Sequence, residues 1–139
     1  MSFEIPEELK QSPAIERVLT RDRFAQLLGI QVEELRTGYA RASMKIEERL
    51  FNGVDIVQGG AVFTLADYAF ALASNTHESV AVSVESNISF MKPARGGTLF
   101  AEAEEISRSK SLGSYTVRIT DDNGTLTALF YGRVFFRTS

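Results

Sequence analysis

The feature that most constrains this chain is the run from Ala61 to Ala73, AVFTLADYAFALA, in which only Thr64 and Asp67 are polar. Alanines alternate with larger apolar residues, which is typical of a helix that other elements surround. At roughly 13 residues the run is too short to span a bilayer, which takes about 20 residues. The sequence therefore predicts one buried helix at the centre of the fold.

The position of Asp67 in the middle of this helix requires an explanation, because burying an unpaired carboxylate costs several kcal/mol. Thr64, Asp67 and Ser74 follow helical spacing and form one narrow polar stripe. In one interpretation, Asp67 and this stripe line a reaction cavity. In the other, Asp67 is exposed to solvent or held by a structural arginine. The pattern fits both.

Residues 1–28 have a helical pattern, and the rest of the chain has the pattern of strands. Ser12 and Pro13 are typical of a helix start, Thr20 of a second start, and Gly29 of a helix end. Apolar and polar residues alternate at residues 30–36, 39–48, 79–91, 99–110, 114–121 and 125–138. Short turns join the later segments, so we expect most of the sheet to be antiparallel.

The order of the predicted elements is β-β-α-β-β-β-β, so one helix serves six strands. A curved antiparallel sheet around the helix would explain why the helix is apolar all round. We therefore predict an α+β fold in a single domain, residues 1–139, with an N-terminal helical segment (1–28) and a core (29–139). A length of 139 residues fits one domain with a sizeable core.

Composition argues against several classes of function. The net charge of −3 argues against binding nucleic acid through a basic face. The chain has no cysteine, which excludes disulfides, thiolate metal sites and a cysteine nucleophile. No cluster of histidine and carboxylates indicates a metal. The N-terminal sequence MSFEIPEELKQ lacks the pattern of a secretory signal, so we expect a cytoplasmic protein without a membrane partner.

Two segments carry a family resemblance. Asn52, followed six residues later by Gln58-Gly59-Gly60 and then by FTLAD ending at Asp67, resembles the hotdog-fold acyl-CoA thioesterases of the phenylacetate-degradation (PaaI-type) branch. SVESNISFMKPARGG, residues 83–97, resembles a strand of the same family. The resemblance implies a hotdog fold and hydrolysis of acyl-CoA to the free acid and CoA. It implies no cofactor, since CoA is part of the substrate.

The resemblance also implies roles for the matching residues. Asp67 takes the position of the catalytic carboxylate, as nucleophile or general base, and the Gly59 N–H that of the oxyanion donor. Asn52 and Ser83 match residues that position the substrate or the attacking water. Gln58 stands where the family usually has histidine. It can form hydrogen bonds but cannot carry a proton at neutral pH.

Further residues are expected to bind the substrate. Those near the helix are Gly60, Phe63, Thr64, Tyr68, Phe70 and Phe90. Basic residues for the phosphates of CoA are Lys92, Arg95, Arg108 and Lys110. Taken singly, each aromatic residue is more often core and each basic residue more often solvated. His77, the only histidine, lies outside the motif and is expected to interact with the helix C-terminus.

Geometry predicts a homodimer. Gly59 and Asp67 are eight positions apart in the sequence, which is roughly 12 Å along a helix. One thioester carbon cannot contact both, so we expect the two groups to meet across a two-fold axis. Asn52, Gln58 and Gly59 would come from one chain, and Asp67 and Ser83 from the other. The family usually doubles this dimer into a tetramer.

Two other functions fit parts of the sequence. The chain could be a non-catalytic acyl-CoA-binding or sensing protein, which Gln58 favours. It could also be a hydratase or dehydratase of enoyl thioesters, but that chemistry uses an Asp/His pair in related folds. The retained Asp67, Asn52 and Ser83 favour the hydrolase.

Overall fold

The computed structural model describes residues 3–137. Its helices are α1 (Ile15–Arg21), α2 (Arg23–Leu27) and α3 (Gly59–Ser74), with short 3₁₀ turns at Glu7–Leu9 and Glu48–Leu50. Its strands are β1 (Gln31–Arg36), β2 (Tyr39–Lys45), β3 (Val80–Phe90), β4 (Thr98–Arg108), β5 (Leu112–Thr120) and β6 (Leu126–Arg137). The predicted order of elements is confirmed. Residues 1, 2, 138 and 139 lie outside the described residues. The predicted end of the last strand, at Thr138, is one of them.

The six strands form one antiparallel sheet in the order β1-β2-β4-β5-β6-β3. Strand β3 follows the central helix in sequence and pairs only with β6, so it forms one edge of the sheet. This edge strand is 11 residues long. Its free edge therefore carries a long row of backbone groups without a partner strand in the described chain.

Helix α3 lies against one face of the sheet and supplies the centre of the core. Leu65, Ala69 and Leu72 have no exposed surface. The ring of Phe70 packs against Phe130 with a centroid distance of 5.4 Å. A Cβ atom at Gly132 would come within 2.6 Å of the Phe70 ring, so only glycine permits this approach. The prediction of a central apolar helix is confirmed.

One face of α3 is not covered, and here the expectation of burial on all sides is wrong. Gly60 is exposed, and Thr64, Asp67 and Ala71 are half-buried, at intervals of three and four residues. A single sheet can cover only part of a helix. Small side chains along this face leave room for another element to approach.

The first helix does not start at the predicted residues. Ser12 and Pro13 precede α1, and no side chain caps its start. The hydroxyl of Ser12 donates instead to the carbonyl oxygen of Asn75 at 2.7 Å. This contact ties the N-terminal segment to the end of α3, so a tertiary acceptor replaces the local cap.

The second helix also starts later than predicted. Thr20 lies within α1, where its hydroxyl donates to the carbonyl oxygen of Glu16. Asp22 caps α2 because its carboxylate accepts the N–H of Ala25 at 3.1 Å. Gly29 follows the end of α2 with φ of 72°, as predicted. In residues 3–137, no helix has the length and hydropathy needed to cross a membrane.

Candidate active site

The start of α3 presents one free backbone donor. Gln58 is the N-cap: its Oε1 accepts the N–H of Gly60 at 2.5 Å, and its carbonyl oxygen accepts that of Ala61 at 2.9 Å. Within residues 3–137 the Gly59 N–H donates to no acceptor. The positive end of the helix dipole lies at the same place. The Gly59 N–H is therefore the group that can stabilise a developing oxyanion.

A cleft of about 430 Å³ lies beside Gly59. Its lining residues are Asn52, Ile56, Val57, Gly59, Val62, Phe90, Met91, Lys92, Pro93, Ala94 and Thr127. The Phe90 ring lies close to Gly59, since a Cβ atom there would be 3.2 Å from Phe90 Cζ. The structure therefore brings four predicted site residues, Asn52, Gly59, Phe90 and Lys92, to one cleft.

Asn52 shapes the loop that leads into α3. Its Oδ1 accepts the N–H groups of Val54 and Ile56, at 3.0 and 3.3 Å. Among the described residues no hydrogen bond uses its Nδ2. The side chain therefore fixes the loop with its oxygen and keeps its amide donors for the cleft.

Asp67 is half-buried on the uncovered face of α3. Burial raises the pKa of its carboxyl above the usual 3.8, and the negative charge of Asp22 raises it further. No arginine or lysine in residues 3–137 forms an ion pair with it. The structural-arginine interpretation is therefore wrong for the described chain. A carboxylate with a raised pKa and no cation partner is suited to act as a base.

Ser83 lies on edge strand β3, opposite Val134. Directly paired residues share a face of the sheet, and Val134 is buried against the core, so Ser83 faces the helix side. Its hydroxyl is exposed, and its hydrogen-bond partner is Ser86, at 3.3 Å. Within the described part of one chain no hydrogen bond joins Ser83 to Asp67, and neither residue lines the cleft beside Gly59.

The predicted aromatic residues differ in their positions. Phe70 is a core residue with 1% exposure. Phe63 packs edge-on against Phe130, with 5.4 Å between the two ring centroids. Tyr68 is buried and its hydroxyl donates to the carbonyl oxygen of Val18 at 3.2 Å. Burial raises the pKa of Tyr68 to about 12, with a contribution from Asp22. Tyr68 therefore attaches α1 to α3.

His77 lies at the other end of α3, near Arg108 and Lys110, in a cleft of about 350 Å³. Its Nε2 pairs with Glu105 Oε1 at 2.6 Å, and the Tyr115 hydroxyl donates to the same oxygen. Burial raises the pKa of Glu105, but the hydrogen bonds from Tyr115 and His77 outweigh this and leave it below the usual range. His77 therefore pairs with the sheet rather than with the helix end. Arg95 is exposed and lies outside these clefts.

No group of three or more histidine, aspartate or glutamate side chains that could hold a metal ion occurs in the described part of the chain.

The hydrogen bond from Gly60 to Gln58 has a measurable consequence. We expect Gln58→Ala to lower the free energy of unfolding by about 1 kcal/mol, because the Gly60 N–H loses its acceptor. Urea denaturation would measure the change. Gln58→His is the matched control, since a neutral imidazole nitrogen can accept the same bond. Equal stability of all three proteins would show that this cap contributes nothing.

Comparisons with known proteins show similarity over most of the chain. The Thioesterase superfamily profile matches residues 55–128. The acyl-coenzyme A thioesterase PaaI of Escherichia coli is 34% identical over 113 residues, which cover 81% of each protein. The solved structure of the E. coli PaaI protein from the phenylacetic acid degradation operon covers 98% of both chains, with a TM-score of 0.89 and 29% identity. A mutant of the phenylacetic acid degradation protein PaaI of Thermus thermophilus covers 84% of this chain and 100% of its own, with a TM-score of 0.80 and 33% identity.

Proposed function

Because the chain belongs to the Thioesterase superfamily and has its hotdog fold, it is a thioesterase, and we propose that it hydrolyses acyl-CoA thioesters to the free acid and CoA. The observation that carries this proposal is the free Gly59 N–H, which lies at the start of α3 and beside a cleft of about 430 Å³. The E. coli relative is named an acyl-coenzyme A thioesterase, which supports the same substrate class.

The proposed chemistry uses two groups. The carbonyl oxygen of the thioester accepts the Gly59 N–H, which stabilises negative charge as the carbon is attacked. Asp67 either removes a proton from the attacking water or attacks the carbon itself, forming an anhydride that water then hydrolyses. The carbon–sulfur bond breaks, and the CoA thiolate takes up a proton. No cofactor enters these steps.

We propose that the active unit is a homodimer with two equivalent sites. Two features of one chain support it: the long free edge of β3, where Val84 is 58% exposed, and the uncovered face of α3 that carries Asp67. Antiparallel pairing of two β3 strands around a two-fold axis would join the sheets and place two α3 helices side by side. Gly59 of each chain would then lie near Asp67 and Ser83 of the other. A dimer of dimers is a further proposal from the family resemblance.

We propose that basic residues bind the phosphates of CoA. Lys92 lines the cleft beside Gly59, and Arg95 is three residues further along the chain. Arg108 and Lys110 line the cleft at the other end of α3, about 24 Å away by helix length. In an antiparallel dimer that end lies toward the start of the partner's helix. These two residues would therefore serve the partner's site.

The structure makes the two alternative functions less favourable. Gln58 favoured a non-catalytic binder, but its side chain caps α3 and leaves the Gly59 donor free. The hydratase needs an Asp/His pair, and the one histidine of the sequence pairs with Glu105 at the end of α3 remote from Gly59. The proposed steps of hydrolysis use neither a histidine nor another proton donor at position 58.

A substrate panel tests the proposal. We expect the protein to release CoA thiol from at least one of acetyl-, medium-chain, long-chain and aryl-acyl-CoA, and treatment with a chelator to leave the rate unchanged. Free thiol is measured by its reaction with a chromogenic disulfide. Binding of acyl-CoA without thiol release from any of them would contradict the hydrolase and favour the binder.

A further inference from the structure

Thr127 lies outside the regular pairing of its own strand, β6. In the ladder with β5, Ile119 pairs with Ala128. The next pair is Thr120 with Leu126, which leaves Thr127 without an opposite residue, as in a β-bulge. Thr127 is buried, and its hydroxyl donates to the carbonyl oxygen of Ile119 at 3.0 Å. This bond across the ladder holds the bulged residue in place.

The carbonyl oxygen of Thr127 holds a second irregularity, at the end of β3. The last regular pair of β3 with β6 is Phe90 opposite Ala128. Beyond this pair, the Thr127 carbonyl oxygen accepts two successive donors, the N–H of Met91 at 2.8 Å and the N–H of Lys92 at 3.1 Å. Two residues opposite one again form a β-bulge. Thr127 therefore belongs to one bulge through its hydroxyl and to another through its carbonyl group.

The second bulge decides the direction of the segment that lines the cleft beside Gly59. Successive side chains of a strand alternate between two faces, so one inserted residue reverses the face of those that follow. Met91 and Lys92, the two residues of the bulge, both line the cleft. Beyond them, the carbonyl oxygen of Ala94 accepts the N–H of Val57 at 2.9 Å. The segment after the bulge is thereby joined to the loop that enters α3.

We infer that Thr127 is a positioning residue for CoA, because the bulges that it holds direct Lys92 into the cleft beside Gly59. Lys92 is the one charged residue in the described lining of this cleft, and it forms no ion pair within residues 3–137. Its ammonium group is thus available to a phosphate. The inference rests on the proposed binding of CoA phosphates by Lys92. Thr127 lines the same cleft, so the test must separate action through Lys92 from a direct contact with the ligand.

A double-mutant cycle makes this separation, with the Kd for CoA measured by titration calorimetry. Lys92→Met removes the charge and is expected to raise the Kd by about 10- to 100-fold. Thr127→Val keeps the branched shape of the side chain but loses the hydroxyl, and it is expected to raise the Kd by about 3- to 10-fold. In the Lys92→Met background, Thr127→Val is expected to change the Kd by less than about twofold, because the contact that it misdirects is already absent.

The cycle can overturn the inference in two ways. An equal rise in Kd in both backgrounds would mean that Thr127 acts on the ligand without Lys92. An unchanged Kd in either single variant would mean that the bulge or the lysine does not serve the ligand.

Two variants are matched controls for Thr127→Val. Thr127→Ser retains the hydroxyl and is expected to restore the Kd of the natural protein. Thr125→Val makes the same substitution at a hydroxyl that forms no hydrogen bond within the described residues, and it is expected to leave the Kd unchanged. A rise in Kd in Thr125→Val equal to that in Thr127→Val would overturn the inference, because the bulge would then not be the cause.

Amide hydrogen exchange checks the bulge in the natural protein without any ligand. The N–H groups of Met91 and Lys92 are both expected to exchange more slowly than an unstructured amide, because both donate to Thr127. Exchange of the Lys92 N–H at the unstructured rate would overturn the inference. If Thr127→Val does not fold, Thr127→Ala removes the same hydroxyl with a smaller side chain and takes its place in the cycle.

The outcomes also separate this inference from the proposed hydrolysis. A protein that binds CoA with a coupled cycle, but releases thiol from no thioester, would support the role of Thr127 and contradict hydrolysis. Thiol release together with an additive cycle would contradict the role of Thr127 alone.

Discussion

Asp67→Asn is expected to lower kcat/KM for acyl-CoA hydrolysis by about 10²- to 10⁴-fold. The amide has the size of the carboxylate but is neither a base nor a nucleophile at neutral pH. Steady-state thiol release from the best substrate of the panel would measure the loss. Residual activity within about tenfold of the natural protein would contradict a role for Asp67 as base, which contributes at least 10².

The loss of activity must not result from unfolding, so the control is the thermal stability of the variant. The pKa of Asp67 predicts the direction in which that stability changes. A carboxyl group whose pKa is raised by burial stabilises the folded state below its unfolded pKa, where it is protonated in both states. That contribution is lost as pH rises through the folded value. At neutral pH the ionised carboxylate of Asp67 therefore destabilises the folded state, and Asp67→Asn removes this destabilisation. We expect the variant to melt at the same or a higher temperature than the natural protein at pH 7.

The same shift predicts the acid limb of the pH profile. Activity should rise with pH as Asp67 loses its proton, with a midpoint above the 3.8 of an unperturbed aspartate. Asp22→Asn keeps an oxygen that can cap α2 but removes the negative charge that raises the pKa of Asp67. The limb should therefore move to lower pH in this variant. An unmoved limb would show that Asp22 does not act on Asp67.

Mixed dimers are expected to recover activity from two inactive variants. Gly59→Val fills the space between Gly59 and the Phe90 ring, where even a Cβ atom would be 3.2 Å from Cζ. Asp67→Asn removes the carboxylate. In a mixed dimer, one site combines the intact Gly59 of one chain with the intact Asp67 of the other. Equal amounts of the two chains, exchanged at random, should give about a quarter of the natural activity, because half of the dimers are mixed and each has one intact site.

The matched control is the double variant, Gly59→Val with Asp67→Asn, mixed with the natural chain. Every mixed dimer then has two defective sites if the groups come from different chains, since each site contains one altered residue. If Gly59 and Asp67 of one site came from the same chain, each mixed dimer of the double variant and the natural chain would keep one intact site. Mixing the two single variants would then restore no activity. The two mixtures thus give opposite results for the two arrangements.

The sheet and the central helix were predictable because their signals are local and periodic. Alternation places every second side chain of a strand on one face, and the alanine-rich run from Ala61 to Ala73 indicates a helix that other elements approach closely. The role of Ser12 at the start of the first helix was not predictable. Ser12 bonds to Asn75, which is 63 positions away in the sequence, and no local pattern specifies such an acceptor.

The candidate site also combines features that the sequence predicts with features that only the tertiary structure decides. The sequence by itself determined the motif residues and the distance between Gly59 and Asp67 along one helix, and from that distance we predict a second chain. The family resemblance assigned the oxyanion position to Gly59 and substrate binding to Gly60, but it assigned Gln58 no structural role. Only the tertiary structure showed that Gln58 occupies the Gly60 donor and leaves the Gly59 donor free.

The tertiary structure also decided the surroundings of the site. It left Asp67 without a cation partner among the described residues, and it placed Lys92 in the cleft beside Gly59. Sequence spacing fixes positions along one element, because the geometry of a helix or strand is regular. Which groups from distant elements share a cleft depends on how those elements pack, and this is specified by the whole core rather than by any one segment.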